Sequence, residues 1–452
     1  MSRFILTNAT IVTGGSVFPG SLCIDGSRIS AVRKEGIPVF PDAEVIDLGG
    51  KVLMAGGIDA HVHFREPGLT WKADIASESG AAILGGITSF ADMPNTLPPT
   101  TTVEALDWKL ARAASVSMAN YGFHIGATNT NINLIREYLE AGFGSRFGGI
   151  KVFMGSSTGN MLVDREATLE DIFSIKGKAI LVHCEDEDTI KANLEAAKNG
   201  YGSDITFALH PTIRSREACM KATGKALDMA VKHGTRLHIL HVSTAEEVEM
   251  IREAKRDNPN ITAETSANYL WFSDEDYARL GGRLKCNPAI KTDGDRRALL
   301  EGFSDGTIDT IGSDHAPHLL SEKERAYPDC PSGIPSIRHS LQVVLSLALK
   351  NGIPLTRVAS AFSENIARIL GIEGRGSIRE GASADLVVLD LDQEYVADGK
   401  DYKCGWTPYE GSRLLGKVDM VWLNGIPVVS GSRIRVGKGQ FQPQPLQFRS
   451  IG

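Results

Sequence analysis

The chain has 452 residues, of which 42% are apolar and 23% charged, with a formal net charge of -7 from 48 basic and 55 acidic residues. That length is enough for two or three domain equivalents, and the mild acidity argues against a nucleic-acid binder, which needs a basic face. No apolar run approaches the roughly 18 residues of a membrane helix, and the start (Met-Ser-Arg-Phe-Ile-Leu-Thr-Asn) lacks the pattern of a secretory signal. Six cysteines at 23, 184, 219, 286, 330 and 404 form no C-x-x-C and no disulfide framework. These features lead us to expect a soluble, cytoplasmic protein.

The first 50 or so residues read as short strands broken by Gly, Asp-Gly and Pro: Arg3–Thr7, Ile11–Val12, Ser21–Ile24, Arg28–Val32 and Glu44–Asp47. The middle alternates. Apolar strand candidates are Val52–Ile58, Ile87–Ala91, Gly122–Gly126, Gly149–Met154, Ala179–His183, Arg236–His241, Asn260–Glu264, Arg283–Cys286 and Thr307–Gly312. Helical stretches such as Asp74–Leu84, Val103–Val116, Leu134–Ala141, Ala218–Lys232 and Glu246–Lys255 lie between them. Strand–helix alternation implies a parallel sheet with crossover helices, and about nine candidates come close to the eight of a barrel. An open doubly wound sheet is the rival, but no G-x-G-x-x-G follows the first strands. The end of the chain is β-rich again, with Asp385–Leu389 and a hairpin of Lys417–Leu423, Asn424-Gly425 and Ile426–Val429. The expected fold is α/β: a (β/α)8 TIM-like barrel over 54–375 and a small β-sandwich domain formed by both chain ends, 1–53 with 376–452.

Candidate chemistry sits at strand ends. His61 and His63 are two apart after an apolar strand, so their side chains share one face and can reach one metal ion. Surface histidines on a half-buried strand would be the bland alternative. His183 and His241 each end another apolar run, and Asp314 follows a further one. By parity His238 and His241 point to opposite faces. His241 is nearer the strand end and is taken as the ligand. Lys151 lies inside an apolar strand, where an unpaired ammonium is costly. It is an ion-paired or snorkelling lysine, a Schiff-base former, or a carboxylated lysine bridging two cations. The surrounding histidines favour the last.

Several strings together resemble the dihydroorotase class with a carboxylated lysine, in the cyclic-amidohydrolase branch of the amidohydrolase superfamily. They are Asp59-Ala-His61-Val-His63-Phe-Arg65-Glu-Pro67-Gly68, Asp92-Met-Pro-Asn95-Thr96, Lys151-Val-Phe-Met, Leu-Val-His183, Leu-His241-Val, Asn287-Pro288 and Gly312-Ser-Asp314-His-Ala-Pro-His318. They run in order over about 260 residues. The resemblance implies two Zn²⁺ per chain, one held by His61, His63, Lys151 and Asp314 and one by Lys151, His183 and His241, bridged by carboxylated Lys151 and a hydroxide. It implies interconversion of L-dihydroorotate and N-carbamoyl-L-aspartate, a step of pyrimidine biosynthesis, with Asp314 as general base and then acid. Arg65, Asn95, Asn287 and His318 would contact the substrate, Arg65 gripping its carboxylate. A homodimer or homotetramer fits such a family.

Relatives carry paired histidines where this chain reads Thr265–Leu270, which touches pocket detail rather than the ligand set. His124, His210, His233 and His339 have no motif support and are taken as structural. The charged, Pro-bounded segment 319–331 is expected to be a mobile flap that brings Ser332 and Gly333 near the ligand. The rival functions are a hydantoinase, dihydropyrimidinase or allantoinase with the same metals, a non-catalytic scaffold, and a Schiff-base barrel using Lys151.

Overall fold

A computed structural model describes residues 3–38, 40–155, 161–202, 204–437 and 439–451. The chain opens with β1 (Arg3–Val12), which pairs antiparallel with β2 (Val17–Asp25), and β2 pairs with β3 (Arg28–Arg33). A register shift between Leu6 and Ala9 interrupts β1 where the sequence suggests two strands. Next, β4 (Glu44–Asp47) and β5 (Val52–Ala55) run parallel to β1. The chain then crosses to the barrel at Gly56, where a Cβ would collide with Thr88 at 2.3 Å. Val52–Ile58, expected as one strand, is therefore two strands in different sheets.

The barrel strands are β6 (Gly57–Val62), β7 (Ile87–Asp92), β8 (Asn120–Phe123), β9 (Ile125–Gly126), β10 (Gly149–Phe153), β11 (Ala179–His183), β12 (Leu237–Ile239), β13 (Thr262–Thr265) and β14 (Thr310–Ile311). All pair in parallel, in the arcs β6-β7-β8 and β9 to β14. β8 and β9 are one barrel strand interrupted at His124, so the barrel has eight. A parallel bridge between Val62 and His315 joins the two arcs beyond β14.

The helices between the strands start on caps the sequence supplies. Asp74 caps Ile75–Leu84 through the Ser77 amide, Thr102 caps Val103–Val116, and Thr244 forms a reciprocal box with Glu247 at Ala245–Asp257. The strand expected at Arg283–Cys286 is absent. Gly281–Leu284 is instead a 3₁₀ turn, and Lys285 directs its ammonium at the Tyr327 and Cys330 carbonyls, both at 2.6 Å. The Lys285 carbonyl accepts from the Gly333 amide at 2.9 Å, so this backbone is tied to a neighbouring loop rather than to a ladder.

After the barrel, β15 (Leu386–Val396) returns to pair antiparallel with β5, with Leu386 opposite Ala55. β16 (Arg413–Leu423), β17 (Ile426–Ser430) and β18 (Arg433–Ile434) complete a sheet built from both chain ends. Asn424 and Gly425 form the β16–β17 turn with φ of 50° and 79°, the left-handed pair that a two-residue hairpin needs. Leu6, Ile11, Leu22, Leu53, Leu386, Val388 and Trp422 bury its inner face. Each such side chain contributes about 1.5–3 kcal/mol relative to exposure. Among the described residues no helix is long and apolar enough to cross a membrane.

Candidate active site

At the C-terminal end of β6, alternation puts His61 and His63 on one side, with ring centroids 5.6 Å apart. The Nδ1 of each ring is already engaged. His61 Nδ1 lies 2.5 Å from Glu264 Oε1 on β13, and His63 Nδ1 lies 2.7 Å from Asn95 Oδ1. Both rings therefore turn Nε2 toward Asp314, whose Oδ1 is 3.3 Å from His61 and 3.2 Å from His63. Candidate ligand atoms of these three residues all fall within 4.8 Å of one another. Below them, Asp59 accepts from the His61 and Ser313 amides, joining the two strand ends.

His183 and His241 form a second pair. His183 Nδ1 is 2.9 Å from His241 Nε2, and His183 Nε2 is 2.9 Å from Glu185 Oε2, which also meets Arg214. The His241 ring lies 5.2 Å from His61, so the four imidazoles form one cluster. His241 stands beyond the end of β12 with φ of 41°; Arg65 (67°) and Asp314 (47°) are also left-handed. Such backbone is sparsely populated by non-glycine residues and concentrates at functional sites. His238, left as structural because His241 is nearer the strand end, is held by Thr262 Oγ1 at 2.9 Å and Thr310 Oγ1 at 3.4 Å.

Burial and charge shape the protonation of the cluster. Burial holds His63 down to about 4 and His241 well below its usual value. Burial alone would raise Asp314, but His61, His63 and Lys151 outweigh it and lower the carboxyl. Glu264 is likewise brought to about 2, burial being overcome by His61 and His238. Lys151 is almost fully buried on β10, its Nζ 4.5 Å above the Phe153 ring. Burial lowers its amine to about 7 against the opposing charges of Asp314 and Glu264.

This donor set fits a divalent metal. Two imidazole nitrogens oriented by their own partners face a carboxylate, and two further imidazole nitrogens face each other. His241 Nδ1 has no hydrogen-bond partner among the described residues. Nitrogen and oxygen donors of this kind suit zinc and similar ions.

A cavity of about 130 Å³ opens beside the cluster. His63, Arg65, Asn287, Asp314, Ser332 and Gly333 are among its lining residues. Arg65 is buried and donates Nε to the Pro317 carbonyl at 3.0 Å. Among the described residues, Asn287 Oδ1 is without a hydrogen-bond partner. Two residues expected at the substrate are not in this lining. Asn95 accepts from His63 Nδ1, on the far side of that ring from Asp314, and the Nε2 of His318 lies 3.0 Å from Arg65 Nη2. The segment 319–331 is largely exposed but is anchored by buried Lys323, Tyr327 and Cys330. Lys323 is buried and donates to the carbonyls of Lys285, Pro331 and Gly333 at 2.7–2.9 Å, and Tyr327 Oη meets His210 Nδ1 at 2.8 Å.

Three supporting carboxylates escape the sequence reading: Asp59, Glu185 and Glu264. Glu264 sits inside a barrel strand, the same signal that singles out Lys151. Glu185 follows His183 by two residues.

The amidohydrolase family model matches residues 52–428. The chain belongs to the amidohydrolase family. It is 34% identical to a dihydroorotase of Methanosarcina acetivorans over 96% of this chain and 94% of that protein. It is 30% identical to an allantoinase of Streptomyces avermitilis over 97% and 98%. Among solved structures, an L-hydantoinase (dihydropyrimidinase) from Arthrobacter aurescens superposes with a TM-score of 0.91 at 28% identity, covering 99% of this chain and all of that one. The barrel and the small β-sandwich domain are thus those of this family. The protein is a hydrolase acting on cyclic amides.

Proposed function

We propose that this amidohydrolase interconverts L-dihydroorotate and N-carbamoyl-L-aspartate. The observation that carries the reading is the buried Arg65 guanidinium, lining the same small cavity as Asp314 and His63. Among the described residues no carboxylate forms an ion pair with this buried cation beside the reacting groups, which calls for an anionic substrate, and a guanidinium binds a carboxylate through its fork. Hydantoin, dihydrouracil and allantoin carry no carboxylate. The dihydroorotase names among relatives that align over most of the chain support the same choice.

His61, His63 and Asp314 would hold one Zn²⁺, His183 and His241 a second, and a carboxylated Lys151 would be shared between them. When bound, the ions supply Lewis acidity toward water and the ring carbonyl. The chain's own residues do the rest. Arg65 holds the carboxylate and so fixes the ring relative to Asp314. Asn287 faces the ring with a free amide oxygen. Asp314 accepts the proton of the attacking water and returns it to the departing ring nitrogen. In reverse, Asp314 takes the ureido proton and the ring closes with loss of water.

The test is the loss of L-dihydroorotate absorbance after loading with Zn²⁺ and bicarbonate, beside dihydrouracil, hydantoin and allantoin. Turnover of dihydroorotate alone, abolished by chelation, is the expected result. The allantoinase and hydantoinase likenesses favour a second reading, an uncharged cyclic amide as substrate, and turnover of those rings alone would establish it instead.

A further inference from the structure

Lys72 stands one layer behind the cavity. Its Nζ is 2.9 Å from His318 Nδ1 and 3.1 Å from Glu322 Oε1. An ammonium donates and cannot accept, so His318 Nδ1 is the acceptor of that bond. A neutral ring must then carry its proton on Nε2. That proton has an acceptor in the Ser332 carbonyl at 3.0 Å. The same nitrogen lies 3.0 Å from Arg65 Nη2, which is also a donor only. The Ser332 carbonyl satisfies the ring proton, so among the described residues Arg65 Nη2 is left facing a donor, at the edge of the cavity that Arg65 and Ser332 line. Burial, with Arg65 next, keeps the ring neutral.

We propose that Lys72 is a positioning residue for substrate selection: by donating to His318 Nδ1 it places the ring proton on Nε2, opposite Arg65, and so makes the pocket require a carboxylate. This inference rests on the dihydroorotase reading for its substrate and on geometry alone for the tautomer. Without Lys72, His318 is free to move its proton to Nδ1, toward Glu322 Oε2 at 3.7 Å. The bare Nε2 then accepts from Arg65 Nη2. The pair satisfies itself, and Arg65 Nη2 is no longer left for the incoming carboxylate.

Lys72→Met, Lys72→Arg and Glu322→Gln in the metal-loaded enzyme test this. Proton–nitrogen correlation spectra of the histidine rings, assigned with His318→Gln, report the tautomer without substrate. The expected result is Nε2–H in the wild type, Lys72→Arg and Glu322→Gln, and Nδ1–H in Lys72→Met. KM for dihydroorotate rises roughly 10- to 100-fold in Lys72→Met, the loss of a charge-assisted hydrogen bond, with kcat changed far less. Glu322→Gln stays near the wild type, whereas a simple Lys72–Glu322 brace would make both variants fail alike. An unchanged tautomer in Lys72→Met overturns the proposal, and so does an unchanged KM. A wild type that turns over only uncharged rings overturns the substrate reading, while the tautomer still decides the role of Lys72.

Discussion

His61 Nδ1 and Glu264 Oε1 lie 2.5 Å apart in the barrel interior, and the other oxygen of that carboxylate lies 3.7 Å from His238 Nε2. One carboxylate on β13 therefore sets which nitrogen of a β6 imidazole faces Asp314. Removing such a partner of a ligating histidine typically lowers metal affinity about 10–100-fold. Glu264→Ala is expected to do so, measured by competition with a chromophoric chelator. An affinity equal to the wild type would deny Glu264 this orienting role.

Gly312 makes room for that carboxylate. A Cβ at position 312 would sit 2.4 Å from the Glu264 carboxyl group. Gly312→Ala should cost about 1–3 kcal/mol as an overpacked core substitution and should weaken metal binding as Glu264→Ala does. Denaturant unfolding and the chelator competition check the two effects separately.

A second buried pair holds the loop that carries Arg65. Asp92 Oδ1 accepts from the Phe64 amide at 2.7 Å, and its Oδ2 pairs with Lys109 Nζ at 2.7 Å. Both side chains are essentially fully buried. Lys109→Met leaves the carboxylate without its cation and should cost about 3–5 kcal/mol. The melting temperature would fall by several degrees, and no loss would show that Asp92 is compensated elsewhere.

Lys323 bonds three carbonyls around the wall formed by Pro331, Ser332 and Gly333. Trypsin should leave the Lys323 bond intact in the folded protein, since that side chain is buried, and should cut first at exposed Arg325. Lys323→Met removes hydrogen bonds worth about 1.5–3 kcal/mol each to a charged donor and should speed cleavage after Arg325. Mass spectrometry of a timed digest reads both.

Metal removal should be visible in stability as well as rate. The candidate ligands come from separate strands that only the folded chain brings together, so metal binding favours the folded state. Free Zn²⁺ at 100 times its Kd would add about 2.7 kcal/mol. Chelated protein should melt lower and recover when zinc is returned.

Much of this arrangement was legible because it depends on local pattern. The His-x-His spacing follows from strand alternation, His183, His241 and Asp314 each close an apolar run, and the string around Asp314 carries the family resemblance. Other parts depend on distant contacts. Parity separates His238 from His241, but β12 stops at Ile239 and His241 turns into left-handed backbone, so its aim comes from the turn rather than from the strand. Asn95 and His318 carry the right chemistry, yet in the structure one braces His63 and the other backs Arg65. Arg283–Cys286 has strand-like composition, and the partners of Lys285 lie more than 40 residues away. Glu264 shows its purpose only once the barrel brings β13 and β6 together at His61, and Glu185 only once Arg214 meets it beside His183.

The pairing of β5 with β15 has a consequence for biosynthesis. Leu386 to Leu389 are made more than 300 residues after their partners Ala55 to Val52. Throughout that interval β5 offers an open hydrogen-bonding edge to whatever is near. The tail arrives later still, adding Leu446 to the Tyr121 carbonyl and Gln444 to the Tyr121 amide at β8. A ribosome-bound chain therefore carries an unfinished sheet until almost all of it has been translated. Edges of that kind are where nascent chains associate wrongly, so yield should depend on chaperone supply more steeply than the stability of the finished protein suggests.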